Sequence, residues 1–443
     1  MKLGAHLSIA GGIFQAVESA KEIGANTLQI FSSPPRNWKK PKAERLEIEK
    51  FRNLVERYNI SPVFIHAKYL VNLGSDNRDI QEKSIKSLIA DLSLAYKIGA
   101  LGVIFHPHSK NLQPLIENIK RVLQTTPPST YLILENSAQE RLETIGEIIK
   151  TVKSPRLKFC LDLAHAFQAG YNLATPKGLK ELLAMVKEEI GYRNLLLIHA
   201  NDSKTDLGSK IDRHENIGEG KLGPVPFFVF LNHPATSSLP FIIETPGFRE
   251  KGLVADKKNL KRLKTLVGRR LGRDFFLNST LEVAKNLLGK YLVVKRGGKF
   301  QVGEIIETEA YVGKEDKASH ASRGKTERNK IMWEEGGKLY VYLIYGVHFC
   351  LNVVTEKKGY PSAVLIRGLK PIFGIQEKVD GPGKICRSLG ITKKDNGLDI
   401  TKSGEIYIKD VGIKPKKIIS TSRIGIDYAG EWKDKKWRFL IKT

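Results

Sequence analysis

Short apolar runs recur through the first part of the chain, and seven of the eight end on, or within one residue of, a histidine or a carboxylate. They are KLGAH (2–6), TLQIF (27–31), PVFIH (62–66), GVIFH (102–106), LILEN (132–136), KFCLD (158–162), LLLIH (195–199) and FIIET (241–245), spaced 25 to 46 residues apart. Helical spacing fills the intervals. Eight strands alternating with helices predict a (β/α)8 barrel, an α/β TIM-barrel fold, and the C-terminal rim of its strands is where such barrels keep their chemistry. His6, His66, His106, Glu135, Asp162, His199 and Glu244 all fall on that rim. A single histidine closing a strand is more often an ordinary packing residue, but independent accidents would rarely fill seven of eight positions.

The stretch DKKNLKRLKTLVG spaces Leu260, Leu263 and Val267 along one helical face and offers Gly268 as a C-terminal cap, so the barrel is expected to close there. GRRLGRDFF reads as a short junction. Alternating apolar runs then begin again, at 290–296, 301–313, 339–354, 362–369, 405–410 and 437–442, with few helices between them. These predict a separate α+β domain with a curved, mostly antiparallel sheet. The expected domains are 1–268 and 272–443.

With 443 residues, 41% of them apolar, the chain can bury two cores. The three cysteines, Cys160, Cys350 and Cys386, are far apart and form no paired motif, which argues against a disulfide scaffold and thiolate zinc. No apolar run has the length of a membrane span and the first residues lack a signal-peptide pattern, so a cytoplasmic protein without membrane contact is expected. Charge is the strongest compositional signal. Up to Arg270 there are 40 basic and 27 acidic residues, beyond it 33 and 20, a surplus of 13 in each part. Such a surplus suits a polyanion, whose condensed counterions each Lys or Arg can release.

Zinc takes imidazole and carboxylate ligands that converge on one point. CLDLAHAFQAGY sets His165 three residues after Asp162, close enough to reach the same cavity. IDRHENIGEG (211–220) is a glycine-closed polar loop, and alternation puts its Asp212 and His214 on one side. With His66, His106, Glu135, His199 and Glu244 these make nine potential ligands. At about three protein ligands per catalytic zinc, that number suits two or three metal ions.

GAHLSIAGG, HAKYLVNLGS, FHPHS, LENSAQ, CLDLAHAFQAGY, HANDSK, DRHENIGEG and IIETPG, in this order over about residues 1–266, resemble endonuclease IV, a family of trinuclear zinc endonucleases that cut at abasic sites. The resemblance implies that His66, His106 and Glu135 hold one zinc. Glu135 would bridge to a second held by Asp162, His199 and Glu244, and His165, Asp212 and His214 would hold the third. It further implies that Arg36 of PPRNW enters the duplex at the lesion and that Tyr69 and Leu70 hold the bent strand, although by themselves these two read as packing residues. The implied reaction is hydrolysis 5′ to the abasic site. His108 and Lys110 depart from the family, which usually has a glycine and a histidine there, so the shape of that loop is in question.

In the second part, IIETEAYVG places Glu307, Glu309 and Tyr311 on one face of a strand, where two carboxylates would be costly to bury unless one is functional; an exposed sheet face is the equal alternative. Tyr340, Tyr342 and Tyr345 crowd one run, as core aromatics usually do, but in a basic protein they can also stack bases. ETEAYVGKEDKASHASRG, RNKIMW, LYVYLIYGVHFCLNVV, AVLIRGLKP, GPGKICRSLGI and RIGIDYAGEW, spanning about 273–443, resemble alkyladenine DNA glycosylase. The resemblance implies Glu309 as the general base, Tyr311, His320 and Tyr342 as walls around an extruded base, and Asn352 on the pocket floor. Tyr345 would wedge the duplex and Arg367 would contact backbone phosphate. His348 stands where the family often has an aromatic. No cofactor is expected in this domain.

The combined expectation is a monomeric, bifunctional base-excision repair enzyme acting on damaged double-stranded DNA and associated with the nucleoid through it. About three Zn2+ would lie in the first domain. A metal-dependent sugar isomerase barrel fused to a module that only binds damaged DNA is the alternative; five histidines among the nine ligands and the barrel's basic surplus stand against it.

Overall fold

The structure is a computed structural model and describes residues 1–109, 111–246, 253–344, 346–375 and 379–442. The chain divides into two compact units, Met1–Lys264 and Thr265–Thr443. Among the described residues no helix is long and apolar enough to cross a membrane.

In the first unit eight parallel strands close into a barrel: β1 (Lys2–Leu7), β2 (Thr27–Phe31), β3 (Val63–His66), β4 (Gly102–Phe105), β5 (Tyr131–Glu135), β6 (Leu157–Asp162), β7 (Leu195–His199) and β8 (Pro240–Ile243). Each pairs with its sequence neighbours, and β1 with β8 closes the ring. These bounds agree with the apolar runs to within two residues, because strands buried on both faces read as nearly continuous apolar runs. The closing helix, Val254–Val267, buries Leu260 and Leu263, while the third core position is Leu266 rather than Val267. Gly268 caps it with φ of 74°, its N–H donating to the Thr265 carbonyl at 2.9 Å.

The second unit carries one large sheet: β9 (Arg269–Arg270), β10 (Tyr291–Arg296), β11 (Lys299–Val312), β12 (Leu339–Ile344), β13 (His348–Val354), β14 (Ser362–Phe373), β15 (Val379–Asp380), β16 (Ile406–Asp410), β17 (Ile418–Thr421) and β18 (Arg438–Ile441). Every described pairing in it is antiparallel. Two departures from the sequence reading stand out. The run 339–354 is a hairpin of two strands, and the junction GRRLGRDFF is structured: Arg269 and Arg270 pair with Asp410 and Lys409, and Phe276 is fully buried.

The long strand β11 is the spine of this unit, pairing with β10, β14 and β18. Its register against β14 shifts on both sides of Glu307. Irregularities of this kind bend a strand and re-aim its side chains. Alternation beyond the shift is plain: the Thr308 hydroxyl donates to the Ala284 carbonyl on one face, and Glu309 points to the other.

Candidate active sites

The barrel interior explains why its mouth is polar. Phe64, Ile104, Ile133, Cys160, Leu197 and Ile242, one from each of six consecutive strands, form a dry layer across the barrel. Two residues further along each strand the same inward direction returns, and there stand His66, His106, Glu135, Asp162, His199 and Glu244. The apolar layer therefore aims six ligand-type side chains at one place.

Three groupings result, each with ligand-type atoms within 4.8 Å of one another: His66, His106 and Glu135; Glu135, Asp162, His199 and Glu244; and Asp162, His165 and His214. Glu135 is fully buried and reaches both ways, its Oε2 lying 3.2 Å from His66 Nε2 and 3.6 Å from His106 Nε2, its Oε1 2.8 Å from His199 Nδ1. Asp212 completes the third group, with Oδ1 3.3 Å from His165 Nε2 and 3.5 Å from His214 Nε2.

Four of the five histidines have a partner for the ring nitrogen turned away from the cluster, and only His106 Nδ1 is buried without one. His66, His165 and His214 each turn Nδ1 to a backbone carbonyl, of Ala67, Asn136 and Glu244, at 2.7 to 2.9 Å. His199 turns Nε2 to Gln29 Oε1 at 2.8 Å. A carbonyl can only accept, so the proton sits on that side and the lone pair faces the cluster, as metal-bound histidines require. Burial opposes charge on His165, yet Asp162, Asp212 and Glu135 outweigh it and push its pKa up to about 10, while burial holds His106 down to about 3. The carboxylates beside His165 thus favour positive charge at that end of the cluster.

The loop bearing Asp212 and His214 is anchored by Asp202. Its buried carboxylate accepts the N–H groups of Ser203, Gly218, Gly220 and Leu222 at 2.8 to 3.1 Å. A side chain at Gly220 would collide with it. Asp202 and Ser203 also pair with Glu215 and His214.

In the second unit a pocket opens against β11, lined by Glu309, Tyr311, His320, Tyr342, Asn352 and Arg367 among others. Glu309 is fully buried, and its carboxylate accepts the Tyr311 hydroxyl at 2.9 Å and the Ile424 N–H at 3.0 Å. Burial raises its pKa; Arg367, 3.7 Å away, opposes this in part. Glu307 plays a different part, held between Arg367 at 2.9 Å and Arg438 at 2.5 Å. The His320 and Tyr342 rings lie 4.6 Å apart, His320 Nδ1 meets the Tyr340 hydroxyl at 2.9 Å, and burial with Arg328 and Arg323 lowers the His320 pKa to about 4. Neutral aromatic surfaces, a polar amide and a buried carboxylate thus converge in one pocket.

Residues 17–265 match the xylose isomerase-like TIM barrel family, and residues 274–443 match methylpurine-DNA glycosylase. An endonuclease 4 of Streptomyces avermitilis is 36% identical over 285 residues, covering 59% of this chain and 90% of that protein. The crystal structure of endonuclease IV from Thermus thermophilus superimposes with a TM-score of 0.55 at 34% identity, covering 60% of this chain and 99% of the other. A 3-methyladenine DNA glycosylase of Methanocella arvoryzae is 49% identical over 186 residues, 39% of this chain and 92% of its own. The chain belongs to both families.

Within the endonuclease IV unit all nine expected ligands meet at one mouth. Arg36 and Tyr69 lie exposed and Leu70 half-buried; the Tyr69 ring sits 6.3 Å from that of His66. His108 stacks on His106 at 5.4 Å. Lys110 lies outside the described residues. In the glycosylase unit the expected pocket residues come together, and Arg367 lines the pocket while engaging Glu307. Tyr345 lies outside the described residues, and His348 is exposed beside Gly383.

Several supporting residues escaped the sequence reading. Gln29 of β2 is fully buried and donates to Glu244 Oε1 at 2.5 Å while holding His199. Asn136 and Asn201 fasten Asp162, through its backbone and its Oδ2 respectively. The available signal was position: Gln29 is a lone amide in an apolar strand, and both asparagines closely follow rim residues.

Proposed function

We propose that this chain carries out two successive hydrolytic steps of base-excision repair. The glycosylase unit releases alkylated or deaminated purines, of the 3-methyladenine and hypoxanthine class. The endonuclease IV unit then hydrolyses the phosphodiester 5′ to the abasic site, leaving a 3′-hydroxyl. The observation that carries the reading is the convergence of nine histidines and carboxylates at one barrel mouth, in a chain whose other unit buries a carboxylate among aromatic rings.

His66, His106 and Glu135 would hold one Zn2+, Glu135, Asp162, His199 and Glu244 a second, and His165, Asp212 and His214 a third. When bound, zinc supplies Lewis acidity that brings water toward neutral pKa and offsets charge on phosphate oxygens. The chain's own part is placement. Glu135 ties two of the groups, Gln29 and the backbone carbonyls fix the imidazoles of His66, His165, His199 and His214, and Asp202 secures the loop of the third. Arg36, Tyr69 and Leu70 face the duplex.

In the glycosylase unit the damaged nucleotide leaves the stack, at a cost that is least for weakly paired bases. Tyr311, His320 and Tyr342 enclose the base, Asn352 tests its edge, and Tyr345 fills the vacated space. The bond from C1′ to the base nitrogen breaks with its electrons going to the base. Water adds to C1′ and gives its proton to Glu309. No side-chain nucleophile is involved, so the strand stays intact at this step.

End-labelled duplexes carrying hypoxanthine or an abasic analogue, each with and without chelator, test the reading. Chelator is expected to stop nicking at the abasic analogue and leave base release unchanged. Elemental analysis of active protein should find about three zinc ions per chain; one metal or none would overturn the trinuclear assignment.

A further inference from the structure

Two charged side chains in the glycosylase unit are wholly buried and have no part in the chemistry above. Arg423 and Asp316 meet fork to fork, Nη1 to Oδ2 at 2.6 Å and Nη2 to Oδ1 at 2.9 Å, both side chains 0% exposed. Burying such a pair gives back in desolvation much of what attraction supplies, so stability alone is a poor reason for its presence. Its contacts suggest another. Asp316 accepts the N–H groups of Val312 and Ala318, holding the turn that follows β11. Arg423 donates to the Ala310 and Trp432 carbonyls, and its guanidinium lies over the rings of Tyr311 at 4.9 Å and Trp437 at 5.1 Å.

Both hydrogen bonds to Glu309 come from groups this pair holds. The residue after Arg423 is Ile424, whose N–H meets Glu309 Oε1; Tyr311, whose hydroxyl meets Oε2, is the ring beneath the guanidinium. Ile424 is 47% exposed, so its own side chain does little to fix that N–H. We propose that the Asp316–Arg423 pair is a positioning device that fixes Glu309 between the Ile424 amide and the Tyr311 hydroxyl. The inference rests on Glu309 being the general base.

The consequences are specific. An N–H donor to a carboxylate favours its ionised form, so a loosened Ile424 amide raises the pKa of Glu309. The groups facing Glu309 are Glu307 and Tyr311 on its own strand, Arg367 on β14, Cys350 on β13 and, beyond Glu307, Arg438 on β18. Arg423→Lys leaves the charge of each unchanged, and lysine cannot reproduce the fork or the stacked plane.

The test is single-turnover base release from hypoxanthine duplex by the full chain, over a range of enzyme concentration and pH, for Arg423→Lys, Asp316→Asn and Glu309→Gln. Abasic-site nicking by the same preparations provides an internal control. For Arg423→Lys and Asp316→Asn we expect the maximal rate to fall on the order of tenfold or more, as misplaced catalytic groups cost, with half-saturation changed by less than about threefold. For Arg423→Lys the acid limb should move up by about half to one pH unit, the worth of one hydrogen bond. Wild-type rates with an unmoved acid limb in both variants, beside an inactive Glu309→Gln, overturn the positioning role alone. Loss of lesion binding in step with rate also overturns it, making the pair a plain structural brace. A fully active Glu309→Gln would instead remove the general-base reading on which the inference stands.

Discussion

Glu135→Ala is expected to abolish nicking at abasic sites while hypoxanthine release continues at the wild-type rate. Glu135 is the carboxylate that belongs to two ligand groups at once, with one oxygen toward His66 and His106 and the other toward His199. Removing it deprives two metal positions of a shared anionic ligand and leaves buried imidazoles facing each other. Loss of an outer partner of a metal ligand typically costs roughly 10–100-fold; loss of a bridging ligand should exceed that. Metal content, measured with activity, should fall below the wild-type value. A variant that nicks within a few fold of wild type would show that the bridging assignment is wrong.

Glu309→Gln is expected to slow base release by a factor on the order of 10² or more, as loss of a general base does, with nicking at a preformed abasic site unchanged. Glutamine keeps the shape, and its single oxygen can still accept from Ile424 with the NH2 turned to the Tyr311 hydroxyl oxygen, but its amide cannot take a proton from water. The wild-type pH profile should carry the same signature. Burial raises the pKa of Glu309, against the opposing influence of Arg367 and the Ile424 and Tyr311 donors. Only the ionised carboxylate accepts the proton, so activity should fall with acidity through a value above the ordinary ~4.3 of glutamate. Glu307→Gln is the informative neighbour. Arg367 and Arg438 both hold its Oε1 and it is not among the residues lining the pocket, so base release should survive the change; an inactive Glu307 variant beside an active Glu309 variant would reverse the two roles.

The barrel and the side chains that converge at its mouth were legible because alternation carries both. The residue two before each rim ligand is apolar, from Phe64 before His66 to Ile242 before Glu244, so one periodicity marks strand, core and site together. Short-range spacing likewise brings out Asp162 with His165 and Asp212 with His214. What stayed hidden depends on distance or on plain chemistry. Gln29 is an amide whose partners, His199 and Glu244, lie far along the chain. Asp316 and Arg423 are separated by 107 residues and resemble ordinary surface charges until the fold brings them inside. The pairing of Arg269 and Arg270 with β16 was invisible because two basic residues carry no strand periodicity. The pairing of Arg367 with Glu307 was hidden as well, since the two stand on different strands.

The last of the nine candidate ligands in the barrel is Glu244, and every strand of that barrel precedes the first residue of the glycosylase unit. On the ribosome, domains fold in the order they emerge, at about 5–20 residues per second, so the stretch from Thr265 to Thr443 is made roughly 10 to 40 s after the barrel's chain is complete. A nascent chain that stalls or is released early can therefore carry the strand-cutting half alone, but not the base-releasing half alone. In the reverse order, interrupted translation would leave a protein that makes abasic sites without the means to process them.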